Sequence, residues 1–264
     1  ARWPEALGLL TDVRLRRVEP SVVTYNAAIS ACGKGAQLQE ALGMFSGMRF
    51  RLLQPDMITY GAVMTACEKG VEWQEALGML SDMRMDRRDP DVIICSAAIS
   101  ACEKGAQWLE ALGVVSDMRR RQMEPNVISY SAAISACENG ARWQEALGIL
   151  SDMRRRLLEP NLIACNAAVS ACEKGVQWQE AMGMLAHMHL SQREPNMITY
   201  NAAISACERE TQWQEALGMF ADMRRHHLEP SANTYVSVIT ACHKGERWQE
   251  ASGILLQRVA LGYV

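Results

Sequence analysis

The side chains best suited to chemistry in this sequence are small polar residues that recur at two positions of a 35-residue period. One position directly follows a repeated proline and holds Asp, Asn or Ser. The other lies six residues after the proline and, in the first six copies, holds Asn, Ser or Gly. A carboxylate only accepts hydrogen bonds, whereas an amide or a hydroxyl both donates and accepts them. Because the packing residues around these positions are nearly constant, the polar variation indicates recognition of a ligand by hydrogen bonding.

The period is set by seven prolines with no insertion or deletion between them. Cysteine and tryptophan keep the same step, with Leu38 in the one missing tryptophan slot. A fixed period of this size indicates one supersecondary unit stacked on copies of itself. The prolines are Pro20, Pro55, Pro90, Pro125, Pro160, Pro195 and Pro230.

Counted from the second residue after each proline, the chain divides into repeats. A partial repeat at 1–21 contributes only a second helix, and a truncated repeat occupies 232–264. Each repeat is predicted to form two helices, because apolar residues follow helical spacing in its first half and again in its second half, from Trp143 to Met153 for example. The prediction is an all-α solenoid of helical hairpins with about 15 helices. The six full repeats are 22–56, 57–91, 92–126, 127–161, 162–196 and 197–231.

Glycine and tryptophan mark fixed points of each repeat. Gly140 and its equivalents are expected to adopt the left-handed conformation that ends the first helix, and Glu210, which replaces one of them, predicts local strain. Gly148 and its equivalents lie inside the second helix and are interpreted as points of close contact between helices. Trp143 and its equivalents are expected to be anchors between hairpins, where loss of a fully buried tryptophan side chain costs about 3–5 kcal/mol.

Composition and cysteine spacing exclude several classes of protein. A hydrophobic content of 49% with 6% aromatic residues is typical of soluble helical proteins, and no run is long enough to be a membrane span. The nine cysteines are predicted to be free packing residues in a reducing compartment, because their spacing is too wide for disulfides. No Cys-x-x-Cys pair occurs and the five histidines show no metal-ligand spacing. We therefore predict no metal, no cofactor and no enzymatic activity.

The repeated motifs resemble the pentatricopeptide repeat over the whole chain. They are Val-Ile-Ser-Tyr-Ser-Ala-Ala-Ile-Ser-Ala-Cys at 127–137, Glu-Ala-Leu-Gly-Ile-Leu-Ser-Asp-Met at 145–153 and Glu-Pro-Asn at 159–161. The resemblance implies a P-type array, a right-handed superhelix that binds single-stranded RNA in chloroplasts or mitochondria with one base per repeat. It also implies a non-enzymatic adaptor that affects RNA processing, stability or translation. Any targeting peptide is expected upstream of the sequence given.

The same resemblance assigns roles to three sets of residues. The fifth residue of a repeat and its last select the base, apolar second residues of adjacent repeats hold the ring, and cations near the end of the first helix approach phosphates. The base-specifying pairs are Asn26 with Asp56, Gly61 with Asp91, Ser96 with Asn126, Ser131 with Asn161, Asn166 with Asn196, and Asn201 with Ser231. The base-clamping residues are Val23, Ile58, Ile93, Ile128, Ile163 and Ile198. The phosphate-contacting residues are Lys34, Lys69, Lys104, Lys174, Arg209 and Lys244.

Hydrogen-bonding capacity predicts which base each pair selects. Asp at the last position suits uracil or guanine, whose edges offer a ring N–H, and Asn suits adenine or cytosine, whose bare ring nitrogen accepts. At the fifth position Ser leaves room for a purine, Asn suits a pyrimidine, and Gly61 leaves its repeat undecided. The predicted element is U-(G/U)-A-A-(C/U)-C, read with the N-terminal repeat at the 5′ end.

Structural roles compete with these assignments. Asp, Asn and Ser before a helix are also preferred N-cap residues, and a cation at the end of a helix also complements the helix dipole. The formal net charge of −3 is unusual for a protein that neutralises phosphates. The alternative function is therefore a protein-binding scaffold, with subunits of a large organellar assembly as partners.

Overall fold

The computed structural model describes residues 2–15 and 18–260, which form 15 α-helices and contain no strand. This confirms the predicted all-α class for the described residues. The chain divides into two compact units, Ala1–Ala136 and Cys137–Val264. The helices are α1 (Trp3–Leu15), α2 (Val22–Lys34), α3 (Leu38–Phe50), α4 (Met57–Gly70), α5 (Trp73–Met85), α6 (Val92–Lys104), α7 (Trp108–Arg120), α8 (Val127–Asn139), α9 (Trp143–Arg155), α10 (Leu162–Lys174), α11 (Trp178–Leu190), α12 (Met197–Arg209), α13 (Trp213–Arg225), α14 (Ala232–Lys244) and α15 (Trp248–Ala260).

Successive helices pack as hairpins, and the hairpins stack within each compact unit. In the first unit α2 packs against α3, its partner in the hairpin, and also against α4, the first helix of the next hairpin. In the second unit α12 packs in the same way against α13 and α14. The second helix of a hairpin also contacts the first helix of the next, as α3 does α4. Within each unit the apolar core therefore continues from hairpin to hairpin, and Tyr60 and Met83 are among the fully buried side chains of the first unit.

The turn inside each hairpin is made by a residue other than glycine in the left-handed conformation. The prediction that the preceding glycine would adopt this conformation is wrong, because Gly35 and Gly105 have φ of −87° and −80°. The predicted strain at Glu210 is wrong for the same reason, since Glu210 has φ −95° and the next residue carries the positive φ. In the turns inside the hairpins the left-handed residues, with φ between 53° and 62°, are Ala36, Val71, Ala106, Ala141, Val176, Thr211 and Glu246.

Glycine before these turns makes room for a tryptophan from the preceding hairpin. A Cβ added at Gly105 would lie 2.6 Å from Cδ1 of Trp73, and one at Gly35 would lie 2.6 Å from Cδ1 of Trp3. At Gly70, where the preceding hairpin has Leu38 in place of tryptophan, an added Cβ would lie at an ordinary distance of 3.6 Å from the Leu38 Cβ. The tryptophans do lie between hairpins, but none is fully buried. Six of the seven are half-buried and Trp248 is exposed. The cost predicted for a fully buried tryptophan therefore does not apply.

The glycines inside the second helices border open space. A Cβ added at Gly78, Gly113 or Gly148 would meet no atom within 4 Å. Their interpretation as points of close contact between helices is therefore wrong. Gly113 instead lines a shallow cavity of about 300 Å³ between α5 and α7, together with Leu77 and Arg84.

All nine cysteines are buried free thiols. Burial, with a smaller contribution from a nearby glutamate, raises the pKa of Cys67 to about 12 and that of Cys102 to about 11. A thiol held protonated in this way is a weak nucleophile and a weak metal ligand. The cysteines therefore serve as small packing residues. Among the described helices, none has the length and apolar character needed to cross a bilayer.

Candidate nucleic-acid interface

The residue that follows each repeated proline caps the first helix of a hairpin. Oδ1 of Asp56 accepts a hydrogen bond from the Thr59 N–H at 2.8 Å, and Oδ1 of Asp91 accepts one from the Ile94 N–H at 2.8 Å. The same bond is made by Asn126, Asn161, Asn196 and Ser231. The capping role is therefore real and is worth about 1 kcal/mol per helix. It uses only one polar atom of each side chain.

Asp56, the last residue of the first full repeat and the cap of α4, also forms hydrogen bonds with Asn26, the fifth residue of that repeat. Nδ2 of Asn26 donates to both carboxylate oxygens of Asp56, at 3.0 and 3.1 Å. The Thr59 hydroxyl lies 2.6 Å from Oδ1 of Asn26 and 2.9 Å from Oδ1 of Asp56, between which it shares its hydrogen, and it accepts the Asp56 backbone N–H at 3.1 Å. Asn26 is only 7% exposed and Thr59 is fully buried. These three side chains form a polar triad that fixes which end of the Asn26 amide points to the carboxylate.

Two triads of the same kind lie in the second compact unit. Thr199 donates to Oδ1 of Asn166 at 2.5 Å, and Nδ2 of Asn166 lies 3.4 Å from Oδ1 of Asn196. Thr234 donates to Oδ1 of Asn201 at 2.6 Å, and Nδ2 of Asn201 lies 3.5 Å from the Ser231 hydroxyl. The structure therefore brings together the two members of three predicted pairs, Asn26 with Asp56, Asn166 with Asn196 and Asn201 with Ser231.

Serine and glycine at the fifth position give different arrangements. The Ser96 hydroxyl has the Val92 carbonyl and the Ser129 hydroxyl both at 2.6 Å and can donate its single hydrogen to either, while the Ser129 hydroxyl donates to Oδ1 of Asn126 at 3.0 Å. Ser96 therefore reaches Asn126 through Ser129. Ser131 donates to the Val127 carbonyl at 2.7 Å, and its predicted partner Asn161 belongs to the other compact unit. Gly61 offers no side chain to Asp91, and a Cβ there would meet nothing within 4 Å.

The predicted base-clamping residues form an exposed apolar series on the first helices. They are between 56% and 75% exposed, although each is a large β-branched residue. Exposed apolar side chains that recur in this way are typical of a binding surface. The series is Val23, Ile58, Ile93, Ile128, Ile163 and Ile198.

The predicted phosphate-contacting cations are exposed, but most of them pair with a glutamate of the preceding hairpin. Nζ of Lys104 lies 3.0 Å from Glu68, and Nζ of Lys174 lies 3.1 Å from Glu138. Arg209 pairs with Glu173 at 3.5 Å and Lys244 with Glu208 at 3.1 Å. Lys69 donates instead to the Lys34 carbonyl at 3.2 Å. This ladder of ion pairs between hairpins lowers the positive potential that the cations present.

Two sets of hydroxyl residues near these positions were not predicted. One is the third residue of a repeat, where Thr59, Ser129, Thr199 and Thr234 complete the contacts just described. A Thr or Ser three residues after an Asp, Asn or Ser cap is a capping-box pattern that could have indicated it. The other set lies at the ninth position, on the same helix face as the second and thirteenth residues. Its members are Ser30, Thr65, Ser100, Ser135, Ser170, Ser205 and Thr240.

The stacked hairpins of the described residues, with polar pairs and exposed apolar side chains that recur on the first helices, define a helical-repeat protein. The PPR repeat family matches residues 20–69, 90–139 and 195–244, which is more than half of the sequence, and the chain belongs to this family. The pentatricopeptide repeat domain matches 148–210, and the PPR repeat matches 58–87 and 128–156. A search of curated proteins gave no match.

Solved structures of pentatricopeptide repeat proteins share the fold. The protein PPR10 in complex with an 18-nt psaJ RNA element is 20% identical, with a TM-score of 0.56 over 98% of this chain and 43% of that chain. PPR10 from maize is 18% identical, with a TM-score of 0.53 over 100% of this chain and 52% of that chain. The PPR domain of Arabidopsis thaliana protein-only RNase P 1 in complex with tRNA is 16% identical, with a TM-score of 0.55 over 62% of this chain and 86% of that chain. The chain thus spans about half or less of the PPR10 chains that it matches.

Proposed function

We propose that this chain binds single-stranded RNA in a sequence-specific way and is not an enzyme. The observation that carries the proposal is the polar triad of Asn26, Asp56 and Thr59, whose arrangement recurs twice in the second compact unit with longer contacts between the fifth and last residues. A helix cap alone needs only the Asp or Asn, whereas the triad also orients a second amide beside it. Membership of the PPR repeat family and the RNA-bound structures that share the fold support the same conclusion.

The triad at Asn26 suits uracil. The Thr59 N–H occupies Oδ1 of Asp56 and the Thr59 hydroxyl occupies Oδ1 of Asn26, so Oδ2 of Asp56 keeps a lone pair and Nδ2 of Asn26 keeps a hydrogen. Uracil can donate its ring N–H to that carboxylate and accept from that amide at the adjacent carbonyl. The exposed Val23 and Ile58 would hold the two faces of the ring.

The remaining pairs extend this readout to the element U-(G/U)-A-A-(C/U)-C. Where Asn replaces Asp, its amide can donate to the bare ring nitrogen of adenine or cytosine. Ser96 and Ser131 turn their hydroxyls back to the helix carbonyls and leave the space of a longer side chain open to a purine. The ion-paired cations add little charge, so we expect weak binding.

A two-residue exchange in the third repeat tests the readout. Ser96→Asn with Asn126→Asp builds the uracil-selecting pair beside the Ser129 hydroxyl, so the third base should change from A to U. We expect a discrimination of about 1–3 kcal/mol, by analogy with base readout in DNA. Filter binding at fixed salt to oligonucleotides that differ only at that base measures it, with the exposed Ser81→Asn on α5 as control. Equal binding of both oligonucleotides by every protein would contradict the proposal.

We further propose that the protein acts in a chloroplast or a mitochondrion, by occupying an RNA element and so affecting its processing, stability or translation. This rests on family membership alone. Imaging of the full-length protein with its natural N-terminus fused to a fluorescent reporter tests the location.

The second candidate is a protein-binding scaffold within a large organellar assembly. The observation that favours it is the ladder of ion pairs, which neutralises cations that a phosphate-binding surface would leave available. A photoreactive amino acid placed at the exposed Ile128 and crosslinked inside cells distinguishes the two functions. Crosslinks to RNA support the first, and crosslinks to polypeptide support the second.

A further inference from the structure

Two imidazoles and a carboxylate converge at one place in the second compact unit. His189 lies near the end of α11, Asp222 lies in α13, and His226 directly follows α13. Nε2 of His189 is 3.5 Å from Oδ2 of Asp222, and Nε2 of His226 is 3.8 Å from Oδ1 of the same carboxylate. The two rings stack with their centroids 4.9 Å apart. One ligand atom of each residue lies within 4.8 Å of the other two.

The same three positions in an earlier repeat hold a different set of residues. Three periods upstream they are Arg84, Asp117 and Arg121, and both guanidinium groups pair with the carboxylate. Guanidinium groups stay protonated and cannot ligate a metal, whereas a neutral imidazole offers a lone pair. Asp222 is therefore flanked by two metal-binding groups where Asp117 is flanked by two permanent cations.

We propose that His189, Asp222 and His226 form a binding site for a divalent transition-metal ion of the zinc type. Zn²⁺ binds imidazole nitrogen and carboxylate oxygen at about 2.0–2.2 Å, so ligand atoms in a tetrahedral site lie about 3.3 Å apart. The imidazole–carboxylate separations are 3.5 and 3.8 Å and the three ligand atoms lie within 4.8 Å of one another, so metal binding would draw the partly exposed side chains inward by up to about 1.5 Å. Two imidazole ligands favour Zn²⁺, Co²⁺ or Ni²⁺ over Mg²⁺ and Ca²⁺, which prefer oxygen ligands.

The surroundings leave room for a fourth ligand. The cluster borders a cavity of about 320 Å³ that is also lined by Met182, Leu185 and Glu215. The Tyr200 hydroxyl donates to Oδ2 of Asp222 at 2.7 Å and can orient that carboxylate, and its contact of 3.2 Å with Nε2 of His189 would be replaced by the metal bond. Arg225 also pairs with Asp222, at 3.0 Å, but its side chain is 75% exposed and can move away. Water from the cavity would complete the coordination.

Restoring the upstream arrangement gives a matched test that keeps the fold. His189→Arg with His226→Arg recreates the residues found around Asp117 and should fold as the wild type does. Protein purified without a histidine tag is titrated with Zn²⁺ by calorimetry and with Co²⁺ by visible absorption. We expect the wild type to take up one equivalent, to show a rise in Tm with Zn²⁺, and to give Co²⁺ bands of nitrogen and oxygen ligation without thiolate charge transfer.

The double variant should lose that equivalent and its Tm should no longer respond to Zn²⁺. His227→Arg, the same exchange at the neighbouring histidine, should keep both responses. Asp222→Asn should weaken uptake while both imidazoles remain. The proposal is overturned if the wild type takes up no equivalent, if the double variant binds as tightly as the wild type, or if the Co²⁺ spectrum shows thiolate ligation.

Discussion

The Thr59 hydroxyl connects the two side chains that we propose to select a base. It accepts the backbone N–H of Asp56 and lies 2.6 Å from Oδ1 of Asn26. Because Thr59 is fully buried, water cannot replace these bonds at Thr59 itself. The position of the amide beside Asp56 therefore depends on a residue that belongs to the next repeat.

Replacing this hydroxyl with a methyl group should be costly. Thr59→Val keeps the shape but leaves the Asp56 N–H and Oδ1 of Asn26 without their partner, which should lower the free energy of unfolding by about 1–3 kcal/mol. The matched control is Thr65→Val on the same helix, whose hydroxyl bonds only the Gly61 carbonyl and should change stability by less than about 0.5 kcal/mol. Urea denaturation compares the two. Equal losses would show that the triad contributes nothing beyond a local bond.

The charge of Asp56 should make stability depend on pH. Burial opposes its ionisation, but hydrogen bonds from the backbone and hydroxyl of Thr59 and from Asn26 outweigh burial, and the pKa of Asp56 lies below its ordinary value of 3.8. A lowered pKa stabilises the fold above the ordinary value, and this contribution is lost as the pH falls through the folded value. Asp56→Asn keeps the cap without the charge. The stability advantage of wild type over this variant, measured by denaturation from pH 6 to pH 2, should shrink below about pH 4, and a constant advantage would contradict the assignment.

The helices of each hairpin follow from the sequence, but the roles of its glycines do not. Periodic apolar residues and a proline at each boundary are local signals, so they predict where helices begin and end. In the sequence Gly105 and Gly113 carry the same signal, since glycine at either position is expected to weaken or end a helix. Their surroundings in the structure differ. Stacking of the preceding hairpin brings Trp73 against Gly105, whereas Gly113 borders open space. Contacts between hairpins are not visible in the spacing of one repeat.

Adding one methyl group at each of these two glycines should have opposite effects. Gly113→Ala gains helix propensity with no clash and should raise the free energy of unfolding by up to about 1 kcal/mol. Gly105→Ala would place a Cβ 2.6 Å from Cδ1 of Trp73 and should destabilise by about 1–3 kcal/mol. Thermal and urea unfolding of the two variants measure both effects. If both variants are stabilised, the tryptophan contact does not constrain the turn.

Across the whole chain, the 35-residue period predicts the architecture because every hairpin repeats the same local instructions. It also predicts which residues recur on the surface of the first helices, such as the exposed series that includes Ile58 and Ile128. It does not predict that Lys104 pairs with Glu68, because an interval of 36 residues becomes a contact only through the register between hairpins. It does not predict the cluster around Asp222 either, because His189 comes from the hairpin before the one that contains Asp222 and His226. Apart from the polar pairs that the family resemblance implies, the contacts between hairpins are the part of the candidate site that the sequence alone does not predict.

Removing the glutamates of the ladder should increase affinity for RNA if the first helices bind phosphates. Glu68, Glu138, Glu173 and Glu208 changed together to Gln would release four cations, and the fold should lose little, since exposed ion pairs contribute about 0–1 kcal/mol each. Each cation that then contacts a phosphate should steepen the dependence of log affinity on log salt by about 0.7. A variant with the same charge change elsewhere, Glu40, Glu72, Glu194 and Glu229 changed to Gln, controls for net charge. Binding of the predicted element is measured from low to moderate salt, and an equal gain in both variants would place the cations outside the RNA path.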